Sequence, residues 1–159
     1  MNAFPADPSY CDSNGSRPAS RSSLSALRIA DPPTLLVVDD DPVFRELETR
    51  ALCHHGYNVL QADGPAEALR LAGANPNIDL LLTDFVMPEL NGLELTRRFR
   101  TLHPRTPVLM VSGSLALIRG KIAELDRFAV LEKSSDFDEL FEKVHALLTE
   151  VSPLPLRTS

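Results

Sequence analysis

Charged and hydroxyl side chains end several of the short apolar runs in this chain. Asp39 and Asp40 follow one run, Asp84 follows a second, Ser112 ends a third, and Lys133 comes shortly after a fourth. Apolar runs of this length, bounded by turn residues, are typical of buried strands. Three carboxylates and an ammonium at such positions predict one site for a metal ion and a phosphoryl group. The metal ion and the ammonium would together neutralise the negative charge of the carboxylates and of the phosphoryl group.

Five short apolar runs alternate with five segments of helical spacing. The predicted strands lie at about 34–39, 57–61, 79–83, 107–111 and 128–132. Between them apolar residues recur every three or four positions, as Val43, Leu47 and Ala51 do. This alternation predicts an α/β fold with a parallel sheet covered by helices on both faces. Ligands of such sheets bind at the carboxyl ends of the strands, where the charged residues lie.

Capping residues mark where three of the helices begin. Asp41 before a proline predicts the N-cap of the first helix, and we favour this role for it over metal binding. Gly64 before a proline predicts the start of the second. Ser135, with an acid three residues later, resembles a capping box for the last helix.

Composition predicts one domain with two tails. The chain has 159 residues, 43% of them apolar, and a net charge of -6. Residues 1–33 hold seven serines and five prolines and predict a disordered tail. The domain is predicted at 34–149, followed by a short tail at 150–159. The negative charge lies in the folded part, which argues against direct contact with nucleic acid.

The apolar runs and the N-terminal sequence together predict a cytoplasmic location. No apolar run is long enough to span a membrane, so we expect no membrane partner. The N-terminus also lacks the pattern of a secretory signal.

Four motifs, taken in order, resemble the receiver domain of two-component response regulators. They are Val37-Val38-Asp39-Asp40, Asp84 with Met87-Pro88 and Gly92, Val111-Ser112-Gly113, and Lys133. The resemblance covers about 34–149. It implies a flavodoxin-like, doubly wound (βα)5 parallel sheet with strand order 2-1-3-4-5. It also implies that Asp84 accepts a phosphoryl group from a histidine kinase or a histidine phosphotransfer protein.

The resemblance assigns Mg²⁺ as the cofactor and a role to each acid. It implies that Asp40 and Asp84 are direct carboxylate ligands of Mg²⁺. Asp39 is implied to act through water, and the backbone carbonyl of Val86 supplies another oxygen. Oxygen ligands of this kind suit Mg²⁺, which keeps several of its waters.

Lys133 and Ser112 are implied to contact the phosphoryl group, one through its ammonium and one through its hydroxyl. Two positions depart from the family pattern. Ser134 stands where a proline, often in a cis peptide, is usual, so a trans bond is expected. Val130 stands where a switching aromatic residue is common. Val86 is apolar, and we hypothesise that it cannot orient a hydrolytic water, so the phosphorylated state is long-lived.

The expected function is that of a stand-alone receiver, since only 26 residues follow Lys133 (159 − 133 = 26). It would not be an enzyme, beyond slow loss of its own phosphoryl group. It would signal through phosphorylation-dependent contact with a downstream protein, through the surface of the fourth helix, fifth strand and fifth helix.

Two alternatives remain open on the sequence. Residues 39–43 fit the D-x-D-x-V start of haloacid-dehalogenase-like phosphatases, although that family also needs a later acidic pair after a strand, and no such pair after a strand follows Lys133. A receiver-like interaction module that never binds phosphate is favoured by Ser134 and Val130. The complete set of acids disfavours this second alternative.

Overall fold

The computed structural model describes residues 31–119, 121, 128–133 and 136–151. In this part of the chain, five strands form a single sheet. They are β1 (Thr34–Val38), β2 (Asn58–Ala62), β3 (Leu80–Asp84), β4 (Val108–Ser112) and β5 (Phe128–Glu132). Their order is β2-β1-β3-β4-β5, and each neighbouring pair is parallel. The predicted α/β fold and its strand order are confirmed.

Helices follow the strands in alternation. They are α1 (Pro42–His54), α2 (Pro65–Ala74), α3 (Gly92–Leu102), α4 (Ala116–Arg119) and α5 (Phe137–Val151). Several predictions lie outside the described residues: the disordered tail as far as residue 30, the fourth helix beyond Arg119, the peptide bond at Ser134, and the tail from residue 152.

The predicted strand positions differ from the observed ones by at most one residue. Three strands, β2, β3 and β4, begin and end one residue later than predicted, and β1 ends one residue earlier. Shifts of this size are common because strand ends are defined by individual hydrogen bonds. As a result Asp84 is itself the last residue of β3, and Ser112 is the last of β4.

Apolar side chains cover both faces of the sheet. Leu35 and Val37 of β1 belong to a buried cluster on one face, together with residues of α1 and α5. Leu36 and Val38 point the other way, into a second cluster with residues of α2 and α3. The alternation follows from the two-residue period of a strand. Burial on both faces holds the central strands rigidly, so their carboxyl ends make a fixed edge.

Helix α1 buries a face that its apolar spacing does not predict. Val43 is 64% exposed and Leu47 is 47% exposed, whereas Glu48, Thr49 and Leu52 are buried. An α-helix has 3.6 residues per turn, so a strict four-residue spacing drifts by about 40° at each step. The spacing therefore identified the helix but not the side that packs on the sheet.

Polar caps fix the helix starts. Asp41 Oδ1 accepts hydrogen bonds from the amides of Val43 (2.8 Å) and Phe44 (3.4 Å), which confirms its predicted capping role. Gly64 is the N-cap of α2, as predicted. At α5 the carboxylate of Asp136 accepts from the amide of Glu139 at 3.0 Å. The capping contact that the structure describes is therefore one residue after the predicted Ser135, which lies outside the described residues.

Among the described helices, none combines the length and apolar character that a membrane span requires.

Candidate metal and phosphoryl-transfer site

Three carboxylates meet at the carboxyl edge of the sheet. Asp39 directly follows β1 and Asp84 ends β3, and the register of these neighbouring strands pairs Val38 with Thr83. One carboxylate oxygen from each of Asp39, Asp40 and Asp84 lies within 4.8 Å of the others. Asp39 and Asp84 are buried, whereas Asp40 is exposed. Clustered oxygens that are partly open to solvent are the donor set that Mg²⁺ prefers, so the residues present fit this ion.

Lys133 supplies positive charge to two of these acids. Its Nζ atom lies 2.8 Å from Asp39 Oδ2 and 2.9 Å from Asp84 Oδ2. The backbone amide of Lys133 donates to the carbonyl of Ser112 at 2.9 Å, which extends the pairing of β5 with β4 to the sheet edge. Burial alone would lower the pKa of Lys133, but its hydrogen bonds to Asp39 and Asp84 raise that pKa above its ordinary value.

Asp39 is the most buried acid of the cluster. Burial raises the pKa of this carboxyl above its ordinary value, and the negative charge of Asp84 raises it further. The Lys133 ammonium and the amide of Asp41, which donates to Asp39 Oδ1 at 2.8 Å, offset part of that rise. One ammonium therefore does not fully compensate the buried negative charge, and a divalent cation would.

The loop after β3 is built closely around Asp84. The amide of Val86 donates to Asp84 Oδ1 at 3.2 Å, while the Val86 side chain is 59% exposed. The amide of Gly92 donates to the carbonyl of Phe85 at 2.9 Å. A Cβ atom at Gly92 would collide with the backbone carbonyl oxygen of Asp84, so only glycine fits there. The loop thus holds the backbone of Val86 beside the acids.

Ser112 lies at the same edge of the sheet, but the hydrogen bonds described for its hydroxyl are not with the acids. It is fully buried and follows Val111, the register partner of Asp84. Its Oγ atom exchanges hydrogen bonds of 3.2 Å with the backbone of Ser114. The structure therefore brings Asp39, Asp40, Asp84 and Lys133 together and leaves the Ser112 hydroxyl engaged with its own loop.

Three residues of α1 lie at the site and were not found from the sequence. The ring of Phe44 lies over Lys133 Nζ, with 4.7 Å between that atom and the ring centroid. Arg45 Nη1 donates to the carbonyl of Asp39 at 2.7 Å. Glu48 is buried one turn further along. The available signal was the helix start at Asp41, because a helix that begins beside the acids presents its first turns to them.

Glu48 is an acid in an apolar setting. It lines a cavity of about 180 Å³ between α1 and the start of α5. Burial raises the pKa of Glu48 to about 8, and the charges of Asp39 and Asp84 add to the rise while Lys133 opposes it. The other lining residues are Phe44, Leu47, Val111, Leu131, Glu132, Lys133, Asp136, Phe137 and Leu140.

A family model described as the response regulator receiver domain matches residues 35–145 of the chain. The chain belongs to the response regulator receiver family. Receiver domains act as signalling modules rather than as enzymes, and they partner with histidine kinases or phosphotransfer proteins. Membership excludes the haloacid-dehalogenase-like alternative for residues 39–43, since the match spans Asp84 and Lys133 as well.

Curated relatives of this receiver are longer regulators. It is 37% identical over 124 residues to the response regulator MprA of Mycobacterium sp. (strain KMS), covering 77% of this chain and 53% of that protein. It is 36% identical over 121 residues to the DNA-binding transcriptional regulator NtrC of Azospirillum brasilense, covering 76% of this chain and 25% of that protein. The receiver thus spans about half the length of MprA and a quarter of NtrC.

Solved receiver structures match the same region. The receiver domain of the hybrid histidine kinase CckA superposes with a TM-score of 0.64 at 32% identity, covering 72% of this chain and 98% of that one. The response regulator TrrA of Thermotoga maritima, crystallised in complex with Mg²⁺ and BeF, gives a TM-score of 0.64 at 34% identity. That match covers 73% of this chain and 99% of TrrA.

Proposed function

We propose that this receiver accepts a phosphoryl group on Asp84 from a histidine kinase or a histidine phosphotransfer protein. It then signals through phosphorylation-dependent contact with a downstream protein. The observation that carries the proposal is the placement of Asp84, whose carboxylate ends a buried strand, accepts from Lys133 at 2.9 Å and lies within the acidic cluster. An acid in this setting is a nucleophile with a cation beside it.

Mg²⁺ is the proposed cofactor, and Asp39, Asp40, Asp84 and the carbonyl of Val86 are the proposed ligands. The bound ion would neutralise the charge of the attacking carboxylate and of the phosphoryl oxygens. The oxygens of the three acids, within 4.8 Å of one another, support this assignment.

The chemistry that we propose for the chain's own residues is a single displacement. A carboxylate oxygen of Asp84 forms a bond to phosphorus as the bond from phosphorus to the donor imidazole nitrogen breaks, and that nitrogen keeps the electron pair. The Lys133 ammonium contacts the oxygens of the transferred group. Ser112 would turn its hydroxyl from Ser114 to a phosphoryl oxygen, which would draw the β4–α4 loop toward Asp84.

The test is intact mass after incubation with Mg²⁺ and a small acyl-phosphate donor. We expect wild type to gain a single labile phosphoryl group and Asp84→Asn to gain none, because the amide is not a nucleophile toward phosphorus. Asp63→Asn is the matched control, since Asp63 is an exposed acid just beyond β2 and outside the cluster. An adduct that persists in Asp84→Asn would rule out Asp84 as the acceptor. No adduct in wild type, even with histidine kinases as donors, would favour the phosphate-independent module.

The remaining predictions about the whole protein are proposals of the same kind. We expect a cytoplasmic protein without direct contact to nucleic acid.

A further inference from the structure

The ammonium of Lys133 has two kinds of partner. It lies 2.8 Å and 2.9 Å from the carboxylates of Asp39 and Asp84. It also lies over the ring of Phe44, with 4.7 Å between Nζ and the ring centroid. This distance is within the range of a cation–π interaction.

Phe44 is anchored by the same loop that carries the acids. Its amide donates to Asp41 Oδ1 at 3.4 Å, and the amide of Asp41 donates to Asp39 Oδ1 at 2.8 Å. The first turn of α1, and with it the Phe44 ring, is therefore tied to the acidic cluster through two consecutive hydrogen bonds. The side chain is 42% exposed, so core packing does not account for an aromatic residue at this position.

We propose that Phe44 is a positioning residue that holds the Lys133 ammonium at the edge of the acidic cluster, ready to contact a phosphoryl group on Asp84. This inference rests on the proposed function. Lys133 loses its carboxylate partners whenever the oxygens of Asp39 and Asp84 are engaged elsewhere. The neutral ring face then retains the ammonium, and it does so without competing for it as a further carboxylate would.

The first test compares rates of phosphorylation by a small acyl-phosphate donor, which has no protein surface to dock. Phe44→Leu keeps apolar bulk but removes the ring, and we expect a rate about two- to fivefold lower than wild type. Phe44→Tyr keeps the ring and should restore the rate. Leu47→Ala is the matched control, because Leu47 lies one turn further along α1 and lines the cavity beside Glu48 that Phe44 also lines. Equal rates for Phe44→Leu and wild type would overturn the proposal.

A second background separates positioning from a general effect of the substitution. In a Lys133→Met protein, Phe44→Leu should cause no further loss of rate, because the group that the ring holds is already absent. An undiminished effect of Phe44→Leu in that background would show that the ring does not act through Lys133.

An NMR measurement decides the contact even if wild type takes no phosphoryl group. Protons over the face of an aromatic ring are shielded, so the ε-methylene protons of Lys133 should resonate upfield in wild type and in Phe44→Tyr. They should return toward ordinary values in Phe44→Leu and remain upfield in Leu47→Ala. Ordinary shifts in wild type would overturn the proposal, whereas failure of wild type to become phosphorylated would overturn only the proposed function.

Discussion

Glu48 is a carboxyl group in a helix position that faces the sheet. It is only 9% exposed and shares its cavity with Leu131 and Leu140 as well as with Lys133. A buried carboxyl group avoids the cost of desolvating a charge by keeping its proton. Its pKa of about 8 therefore places its ionisation at the upper end of the physiological pH range.

The pH dependence of stability should reveal this group. The pKa of Glu48 rises from 4.5 in the unfolded chain to about 8 in the folded protein, so the folded state binds the proton more tightly. The resulting stability is complete below about pH 4.5 and is lost as the pH rises through about 8. Above that pH we expect Glu48→Gln to be more stable than wild type by roughly 1 to 3 kcal/mol.

Urea unfolding between pH 5 and pH 9, without divalent metal, measures the difference. Glu46→Gln changes an acid on the exposed side of the same helix and serves as the control. A stability difference between Glu48→Gln and wild type that stays constant with pH would contradict the assignment.

We expect Val86 to lengthen the lifetime of the phosphorylated state. Its exposed apolar side chain follows Asp84 by two residues and offers no hydrogen bond to an attacking water. We expect Val86→Asn to speed the decay of the acyl phosphate by roughly two- to tenfold, the worth of one hydrogen bond to that water. Decay of purified phosphorylated protein, followed by intact mass, tests this, with Leu102→Asn as an exposed apolar position at the far end of α3. An unchanged decay rate would show that the side chain of Val86 does not limit hydrolysis of the acyl phosphate.

At the scale of elements, the turn between β3 and α3 depends on a missing side chain. Gly92 begins α3 and lies against the backbone of Asp84, where a Cβ atom has no room. We expect Gly92→Ala to lower the free energy of unfolding by about 1 to 3 kcal/mol, because the backbone beside it must move.

Gly73 provides the comparison in the same protein. A Cβ atom there would meet nothing within 4 Å, and the residue lies in helix α2. Gly73→Ala should therefore stabilise the protein by up to about 1 kcal/mol, as alanine does in helices. Equal effects of the two substitutions on chemical denaturation would show that the close approach at Gly92 is unimportant.

The elements also show what the sequence could and could not predict. Strand ends were predictable because an apolar run that stops at Asp39 or Asp84 marks both the strand and its charged edge. The orientation of α1 was not, because its exposed apolar residues and its buried Glu48 contradict the usual pattern. The ring of Phe44 over Lys133 was missed for a different reason, because the contact joins residues that are far apart in the chain.

For the molecule as a whole, we expect metal binding at the acidic cluster to raise the free energy of unfolding. A ligand that binds only the folded state raises its stability, by about 1.4 kcal/mol when its concentration is ten times the dissociation constant. We expect Mg²⁺ to raise the melting temperature of wild type by a few degrees. Asp40→Asn should lose most of this rise, because it removes the exposed carboxylate of the cluster. Thermal unfolding with and without Mg²⁺ measures both, and an equal rise in the variant would exclude Asp40 as a ligand.

The order of the strands along the chain also determines when the charges of the site meet during synthesis. Asp84 and Lys133 are 49 residues apart, and Lys133 directly follows β5, the last strand to be synthesised. At roughly 5 to 20 residues per second, a ribosome needs about 2 to 10 s to make that stretch. For this interval the nascent chain carries all three acids without their internal cation. Without the Lys133 ammonium, the charge of the three acids disfavours bringing the carboxyl ends of β1 and β3 together. The stable sheet should therefore form only after β5 has left the ribosome.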